Sequence, residues 1–385
     1  MQIVIMKIFY FPTFKLICVF AFLFTEVLAQ ENNASLSSGR VLFDGYKVNY
    51  SKSDINQCLF NADKKLKVIK GPDGSDVYAL KNILPEHFIE WKESAVDDKI
   101  IKSNLISIPD VVCRKDDMGA LEFLTPIVDF LGWKRVKFGY NPQINRSGWI
   151  VRGLAPPYFN EDRLWSQIKI VPSGRYGHKY ETPIINPGQS LDRITLQQIF
   201  LKVSQEQADK IFNRINHQPK IKENFWLEIL NSNAPIQLTE GVKKAASILS
   251  AGYAAIGMPG VCAGMHTTNE NAEIIKPVLH QDIKLFMKKQ RKIYLVYDMD
   301  DNPAAREIVW NVQAVFGDLL LQAGADIRIV QLPGPEKGPD DFILARGEEE
   351  YHKLVANASS FEDWKKAHNI RGSPDLIVKY RLCRT

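Results

Sequence analysis

The sequence lacks the closely spaced cysteine pairs that small zinc modules use. Its 385 residues contain five cysteines, which are far apart and include no CxxC pair. They are Cys18, Cys58, Cys113, Cys262 and Cys383. This spacing argues against a zinc knuckle or ribbon and predicts isolated buried thiols.

Other signatures are also absent. The chain has no internal repeat and no GxxxxGK[ST] phosphate loop, so a helicase function would require a separate polypeptide. The net charge is only +5, which permits an acidic polymer as partner without requiring one. Hydrophobic residues make up 45% and charged residues 24% of the chain, so disordered and fibrous classes are excluded. A length of 385 residues suits two ordinary domains.

The N-terminus has the pattern of a secretory signal peptide. Lys7 and Lys15 precede the apolar run at residues 16–24, and small or apolar residues stand at Val27 and Ala29. Residues 1–29 are therefore predicted to be a signal-peptide-like segment cleaved after Ala29. The run is short for a membrane span, and no later segment approaches 18 apolar residues. We therefore expect no membrane association for the folded part.

Composition and hydrophobic spacing divide the rest of the chain. Residues 30–75 are predicted to be a polar extension with little fixed structure, and residues 76–225 a smaller α+β module. Helical spacing runs from Pro85 through Ile101, and short apolar runs broken by Gly and Pro follow it. Residues 226–370 are predicted to be an α/β domain, and residues 371–385 a basic tail.

Strands and helices alternate strictly from Pro235 onward. Strands are predicted at residues 236–238, 253–257, 293–297 and 327–330. Helices are predicted after residue 241, at about residues 271–289, and from Pro303 to the stop at Gly324. The strand at 293–297 is apolar on both faces, as in a sheet covered by helices. The pattern predicts a parallel sheet joined by right-handed crossovers.

Acidic residues follow two of these strands directly. Glu240 lies immediately after the first strand, and Asp298 and Asp300 follow the strand at 293–297. Ligands bind beyond the carboxyl ends of such strands, and clustered carboxylates favour a hard cation, so we predict a Mg²⁺ site with Glu240 also available as general acid or base. The alternative is solvated loop acids and helix caps, with Asp301 the expected cap.

Further charged residues accompany these strand ends. Lys243 and Lys244 lie in the first turn of the helix after Glu240, and Lys337 follows the strand at 327–330. These lysines are candidate phosphate or nucleic-acid ligands, with a solvated helix face as the alternative for the first two. Asp340 and Asp341 are candidate additional acids of the metal site, or caps of the following helix.

A Glu after one strand and a DxD after a later one resemble the Toprim fold of bacterial primases, topoisomerases and related nucleases. The segments at 239–246, 251–261, 297–300 and 337–342, with 84–87 and 179–183, are similar to a Toprim-like domain family of cyanobacterial plasmid replication proteins. The resemblance spans about residues 84–364. It implies a Toprim-like parallel-sheet domain, preceded by the smaller α+β module, that handles DNA or RNA during plasmid or phage replication.

Three functions follow as hypotheses. The first is Mg²⁺-dependent phosphoryl chemistry on nucleic acid, primase-like or nuclease-like, with a separate helicase or replication protein as partner. The second is a non-catalytic nucleic-acid-binding module with a structural metal. In it the basic and aromatic side chains of one segment contact the strand, namely Lys169, Arg175, His178, Lys179 and Tyr180, unless that segment is an ordinary core strand. The third is an exported protein that acts on extracellular nucleic acid. We expect a cytoplasmic location, with export as the alternative.

Overall fold

The computed structural model describes residues 39–43, 46–50, 65–115, 118, 121–133, 140–171, 180–184, 197–268 and 274–372. Its strands, in chain order, are β1 Gly39–Phe43, β2 Tyr46–Tyr50, β3 Leu66–Lys70, β4 Asp76–Leu80, β5 Leu105–Pro109, β6 Val112–Lys115, β7 Leu121–Leu124, β8 Ser147–Val151, β9 Gln167–Val171, β10 Tyr180–Glu181, β11 Ile236–Glu240, β12 Ala255–Met258, β13 Met265–Thr268, β14 Ile274–Leu279, β15 Lys292–Val296, β16 Asp326–Ile329 and β17 Ser359–Ser360. Its helices are α1 Pro85–Lys92, α2 Asp98–Asn104, α3 Pro126–Leu131, α4 Gln205–Arg214, α5 Phe225–Asn231, α6 Val242–Ser250, α7 Gln281–Lys284, α8 Pro303–Gln322, α9 Pro339–Arg346, α10 Glu348–Ala356 and α11 Phe361–Ala367. The predicted mixed α/β architecture is confirmed.

A five-stranded sheet organises the C-terminal part in the order β12-β11-β15-β16-β17. The first four strands pair in parallel, and β17 adds an antiparallel edge. Ile236 and Leu238 of β11 and Ile293 and Leu295 of β15 form one buried face of the sheet, and Gln237 and Thr239 are buried on the other. Thr239 of β11 lies opposite Val296 of β15, so the two strands end side by side.

A four-stranded antiparallel sheet, in the order β10-β9-β8-β5, organises the N-terminal part. One row crosses it from edge to edge: Ser107 lies opposite Trp149, Trp149 opposite Lys169, and Lys169 opposite Tyr180. Residues directly opposite each other in a sheet point to the same face. The row therefore presents its four side chains on one side of the sheet.

A single hydrophobic cluster joins residues from both parts, running from Trp91 to Trp364. Aromatic contacts connect them: the Phe200 ring lies 5.3 Å from the Trp226 ring and 5.5 Å from the Phe286 ring, centre to centre. The Trp226 indole N–H donates to the Leu201 carbonyl at 2.7 Å, so the buried ring keeps its hydrogen bond. The domain boundaries set out from the sequence stay predictions.

Three local predictions are wrong. The expected helix at 271–289 is instead β14 followed by the one-turn helix α7, because Pro277 cannot donate an intrahelical hydrogen bond. The helical spacing from Pro85 to Ile101 is split into α1 and α2, with Ala95 at φ 55° between them. The extension at 30–75 was expected to have little fixed structure, but it contains the β1–β2 hairpin and β3.

The structure does not describe most of the two terminal segments predicted from the sequence. Residues 1–29, the predicted signal peptide, lie outside the described residues, as do residues 373–385 of the predicted basic tail. Within the described ranges, no helix has both the length and the hydropathy needed to cross a membrane.

Cys113 and Cys262 each take part in a disulfide bond, so the expectation of isolated thiols is wrong for these two. Disulfides persist mainly in oxidising compartments.

Candidate functional site

Two parallel strand ends bring the predicted acids together. Glu240 is the last residue of β11, and Asp298 follows β15 after Tyr297. Gly241, at φ 88°, turns the chain at once into α6, and its N–H donates to the Met258 carbonyl at 2.7 Å. This tight turn needs the conformational freedom of glycine, and it places the first turn of α6 over the strand ends.

Lys244 lies among these acids. Its ammonium group is 3.0 Å from Asp298 Oδ2, and only 21% of its side chain is exposed. A cation in the first turn of a helix opposes the helix dipole, so a compensating charge is required. Burial works to lower the pKa of Lys244, but Asp298, Asp340 and Glu240 outweigh it and raise this pKa. Lys244 is therefore held charged by the acids.

The same acids carry raised pKa values. Burial is the main cause for Glu240, and the charge of Asp298 adds to it, while Lys244 and Lys337 partly offset both. Burial also raises the pKa of Asp298, against the charge of Lys244. Ionising either carboxyl therefore costs free energy, and a bound cation would offset that cost.

The two acids of the DxD differ in environment. The Asp300 side chain is 31% exposed, and its Oδ2 is 3.4 Å from the Lys337 ammonium. The Asn302 backbone N–H donates to Asp300 Oδ1 at 3.1 Å. That hydrogen bond, with the charge of Lys337, lowers the pKa of Asp300. Asn302, rather than the expected Asp301, caps α8 by accepting from the Ala304 and Ala305 N–H groups.

The loop before α9 completes the site. Asp341 accepts a hydrogen bond from the Gly338 N–H at 3.3 Å and so caps α9. Asp340 instead faces the acids: it is 7% exposed, and burial together with the charges of Asp341 and Asp298 raises its pKa. The Met299 N–H donates to the Lys337 carbonyl at 2.8 Å, which ties this loop to the DxD. Of the two candidate additional acids, Asp340 belongs to the site and Asp341 to the helix cap.

A divalent cation fits the donor set that remains. Among the described residues, the buried oxygens Asp298 Oδ1 and Asp340 Oδ1 have no hydrogen-bond partner, and both lie around Gly338. No group of three His, Cys, Asp or Glu side chains in the described ranges has the geometry to hold a metal. Mg²⁺ commonly uses only one or two carboxylates and completes its shell with water and substrate phosphate. Two carboxylate oxygens without partners are thus available to a divalent cation, and the Lys244 ammonium supplies the positive charge beside them.

Glu90, in α1, was missed by the sequence reasoning. Its carboxylate accepts from the Lys169 ammonium at 2.7 Å and the Trp149 indole N–H at 3.0 Å, and it pairs with the Lys243 ammonium at 3.0 Å. Burial disfavours its charge, but these hydrogen bonds and the charge of Lys243 lower its pKa. Nothing in the local sequence marks this role, because its three partners come from β8, β9 and α6.

Gly338→Ala should disturb the acidic site without unfolding the protein. A Cβ there would lie 2.5 Å from Asp340 Oδ1 and 2.8 Å from Lys244 Cε, although the backbone, at φ −117°, tolerates alanine. We expect Mg²⁺ affinity to fall about tenfold, corresponding to about 1.4 kcal/mol, measured by titration calorimetry. Gly260→Ala is the matched control, since a Cβ there meets nothing within 4 Å. Equal losses in both variants would contradict the crowding argument.

Comparison with known proteins gives matches of three kinds. The model of a family described as "Domain of unknown function (DUF3854)" matches residues 225–350. An uncharacterized protein of Picosynechococcus sp. is 30% identical over 316 residues, covering 78% of this chain and 30% of that protein. A DNA primase of Clostridium acetobutylicum is 29% identical over 127 residues, covering 31% of this chain and 20% of the primase. The chain thus spans less than a third of either relative's length.

Solved structures of primases also resemble the chain at low similarity. The Aquifex aeolicus primase, with its zinc-binding and RNA polymerase domains, gives a TM-score of 0.41 at 17% identity, over 72% of this chain and 57% of that one. A primase catalytic domain bound to single-stranded DNA gives 0.38 at 11% identity, over 73% of this chain and 76% of that one. The expected similarity to cyanobacterial and primase sequences is confirmed in this form.

Proposed function

We propose that this chain is the Toprim-like part of a plasmid or phage replication protein and carries out primase-like, Mg²⁺-dependent phosphoryl chemistry on nucleic acid. The observation that supports it most is the convergence on Lys244 of Glu240 and Asp298, from two adjacent strand ends, and of Asp340 from α9. The sequence similarity to a DNA primase over 127 residues points the same way.

The burial and contacts of each side chain suggest a different role in the site. Asp298 and Asp340 offer the unpartnered oxygens that would hold the cation, with Asp300 at the exposed rim. A bound Mg²⁺ would stabilise negative charge on the reacting phosphate. Burial and the charge of Asp298 raise the pKa of Glu240, so this carboxyl is the candidate general acid or base. Lys337, 54% exposed, and the Lys244 ammonium, once displaced from Asp298, would meet phosphate oxygens.

The second candidate is a non-catalytic nucleic-acid-binding module with a structural ion. Its described residues are Lys169 and Tyr180, whereas Arg175, His178 and Lys179 lie outside the described residues. Tyr180 is 40% exposed, so the expectation of an ordinary core strand does not hold at that position. The third candidate, an exported protein acting on extracellular nucleic acid, gains support from the disulfides of Cys113 and Cys262.

Mg²⁺ titration of the full chain tests the metal site. Because the pKa values of Glu240, Asp298 and Asp340 are raised, protons compete with the metal at higher pH than for ordinary carboxyls. We expect calorimetry to show Mg²⁺ affinity falling about tenfold or more between about pH 8 and about pH 5. The Asp298→Asn, Asp300→Asn variant should bind no Mg²⁺ at this site at any pH. Identical titrations for that variant and the wild type would remove the metal from the proposal.

A further inference from the structure

An exposed aromatic side chain lies at the edge of the N-terminal sheet. Tyr180 is in the edge strand β10, directly opposite Lys169. Its ring contacts Trp149 in a T-shaped arrangement with centres 5.9 Å apart, yet 40% of the residue stays exposed. Trp149 itself is 1% exposed and is held by Glu90 through its indole N–H. The exposed ring therefore rests on a rigid, buried support.

Two ammonium groups share the carboxylate that holds Trp149, the support of this ring. Lys169 and Lys243 both contact Glu90 Oε1, at 2.7 and 3.0 Å, so one carboxylate holds the two cations close together. Each of them is only 20–21% exposed at its side chain. An ammonium group has three N–H donors, so the contact with Glu90 leaves donors available for another acceptor.

The pair and the ring are continuous with the acidic site. Lys243 precedes Lys244, which contacts Asp298, in the first turn of α6. Glu90, which pairs with Lys243, also holds Trp149, and the Tyr180 ring contacts Trp149. Contacts therefore run from Tyr180 through Trp149 and Glu90 to Lys243, the neighbour of Lys244 in the acidic site.

We propose that Tyr180, Lys169 and Lys243 form a subsite for one nucleotide of a single-stranded nucleic acid, with the base stacked on Tyr180 and a phosphate bound by the two lysines. Glu90 is a positioning residue, which acts by fixing both ammonium groups and Trp149. An exposed aromatic ring beside paired cations is the arrangement by which proteins bind single strands without reading their sequence. The subsite rests on the proposed function, because the single strand that it binds is the substrate that reaches Glu240, Asp298 and Asp340.

The test measures binding of a single-stranded thymidine oligonucleotide carrying one 2-aminopurine to the full chain, by fluorescence anisotropy and quenching. Tyr180→Ala should weaken binding about tenfold and abolish quenching, whereas Tyr180→Phe should keep both. An oligonucleotide of the same length without bases should bind the wild type and Tyr180→Ala equally. If Tyr180→Ala binds the base-free oligonucleotide as tightly as the wild type does, a folding defect in the variant cannot explain its weaker binding of the normal oligonucleotide.

Salt dependence tests the lysines separately. Lys169→Ala and Lys243→Ala should each make the slope of log affinity against log salt shallower by about 0.7, the value for one lost phosphate contact on a single strand. Lys353→Ala is the matched control: that side chain is 68% exposed and pairs only locally with Glu350. Glu90→Gln removes the charge that holds Lys169 and Lys243. It should therefore reduce the 2-aminopurine quenching even though Tyr180 is unchanged.

The outcomes discriminate clearly. Unchanged binding by Tyr180→Ala, or equal weakening for the normal and the base-free oligonucleotide, would overturn the subsite, and so would absence of any single-strand binding by the wild type. Retained stacking without any Mg²⁺-dependent synthesis would leave the subsite in place and refute the proposed chemistry. Synthesis that is insensitive to Tyr180→Ala, with unchanged binding, would refute the subsite alone.

Discussion

The Asp298→Asn, Asp300→Asn double variant should lose Mg²⁺-dependent nucleotide incorporation on a single-stranded template by about 10³-fold or more. Metal stabilisation of charge on a reacting phosphate contributes several kcal/mol, and each 1.36 kcal/mol corresponds to about tenfold in rate. Asp298 Oδ1 is buried without a hydrogen-bond partner, and the amide keeps the shape of the side chain and removes its charge.

Asp301→Asn is the matched control for that variant. Asp301 is the next acid in the same loop, is exposed, and does not cap α8. Its amide should retain activity within about twofold, because an exposed substitution away from the site changes little. Activity that survives the double variant would refute Mg²⁺-dependent chemistry at this site. An equal loss in Asp301→Asn would show that the loop is generally intolerant of change.

Lys244→Ala should destabilise the folded protein by about 3 kcal/mol in metal-free buffer, and Mg²⁺ should restore part of this loss. Breaking a buried ion pair leaves an uncompensated charge, which typically costs about 3–5 kcal/mol. Lys244 is the described cation that contacts Asp298, with Glu240 and Asp340 nearby. A divalent cation that binds only the folded state would take over its role. Urea unfolding in EDTA measures the loss of stability, and urea unfolding in Mg²⁺ measures how much of it the metal restores.

The pH dependence has a definite sign in that variant. Carboxyls whose pKa is raised by folding contribute stability when protonated, and that contribution is lost as pH rises through the folded pKa. The raised pKa values of Glu240, Asp298 and Asp340 would rise further without Lys244. The destabilisation should therefore shrink as pH falls from about 7 toward about 5. Lys353→Ala serves as the exposed control, and a pH-independent or metal-independent loss would contradict the argument.

The sequence predicted what depends on local pattern. Strictly alternating apolar segments located β11, β15 and the helices α6 and α8, and the strand ends then located Glu240 and Asp298. Pro303 and Gly324 marked the limits of α8 because each acts on the backbone of its own neighbourhood. By contrast, the segment around Pro277 has apolar residues at spacings that fit a helix or a strand, and its pairing with β13 decides the outcome.

What depends on tertiary contact was not predictable in the same way. Asp340 is buried against the acidic site whereas Asp341 caps α9, and this difference between adjacent acids depends on tertiary packing, which no sequence spacing encodes. Glu90 gains its importance from residues 59, 79 and 153 positions away. The cysteines are a similar case, since wide separation along the chain does not prevent two thiols from meeting in the fold.

The packing of α11 against the core determines where the chain can be truncated. The segment that matches a family model ends at residue 350, but Phe361 and Trp364 are 3% and 2% exposed against the same core. A Cβ on Gly317 of α8 would lie 2.4 Å from the Phe361 ring, so that helix is fitted to a residue beyond the match. Residues 225–350 are therefore not expected to fold as an independent unit. An excision at residue 350 would expose the aromatic surface that closes the sheet.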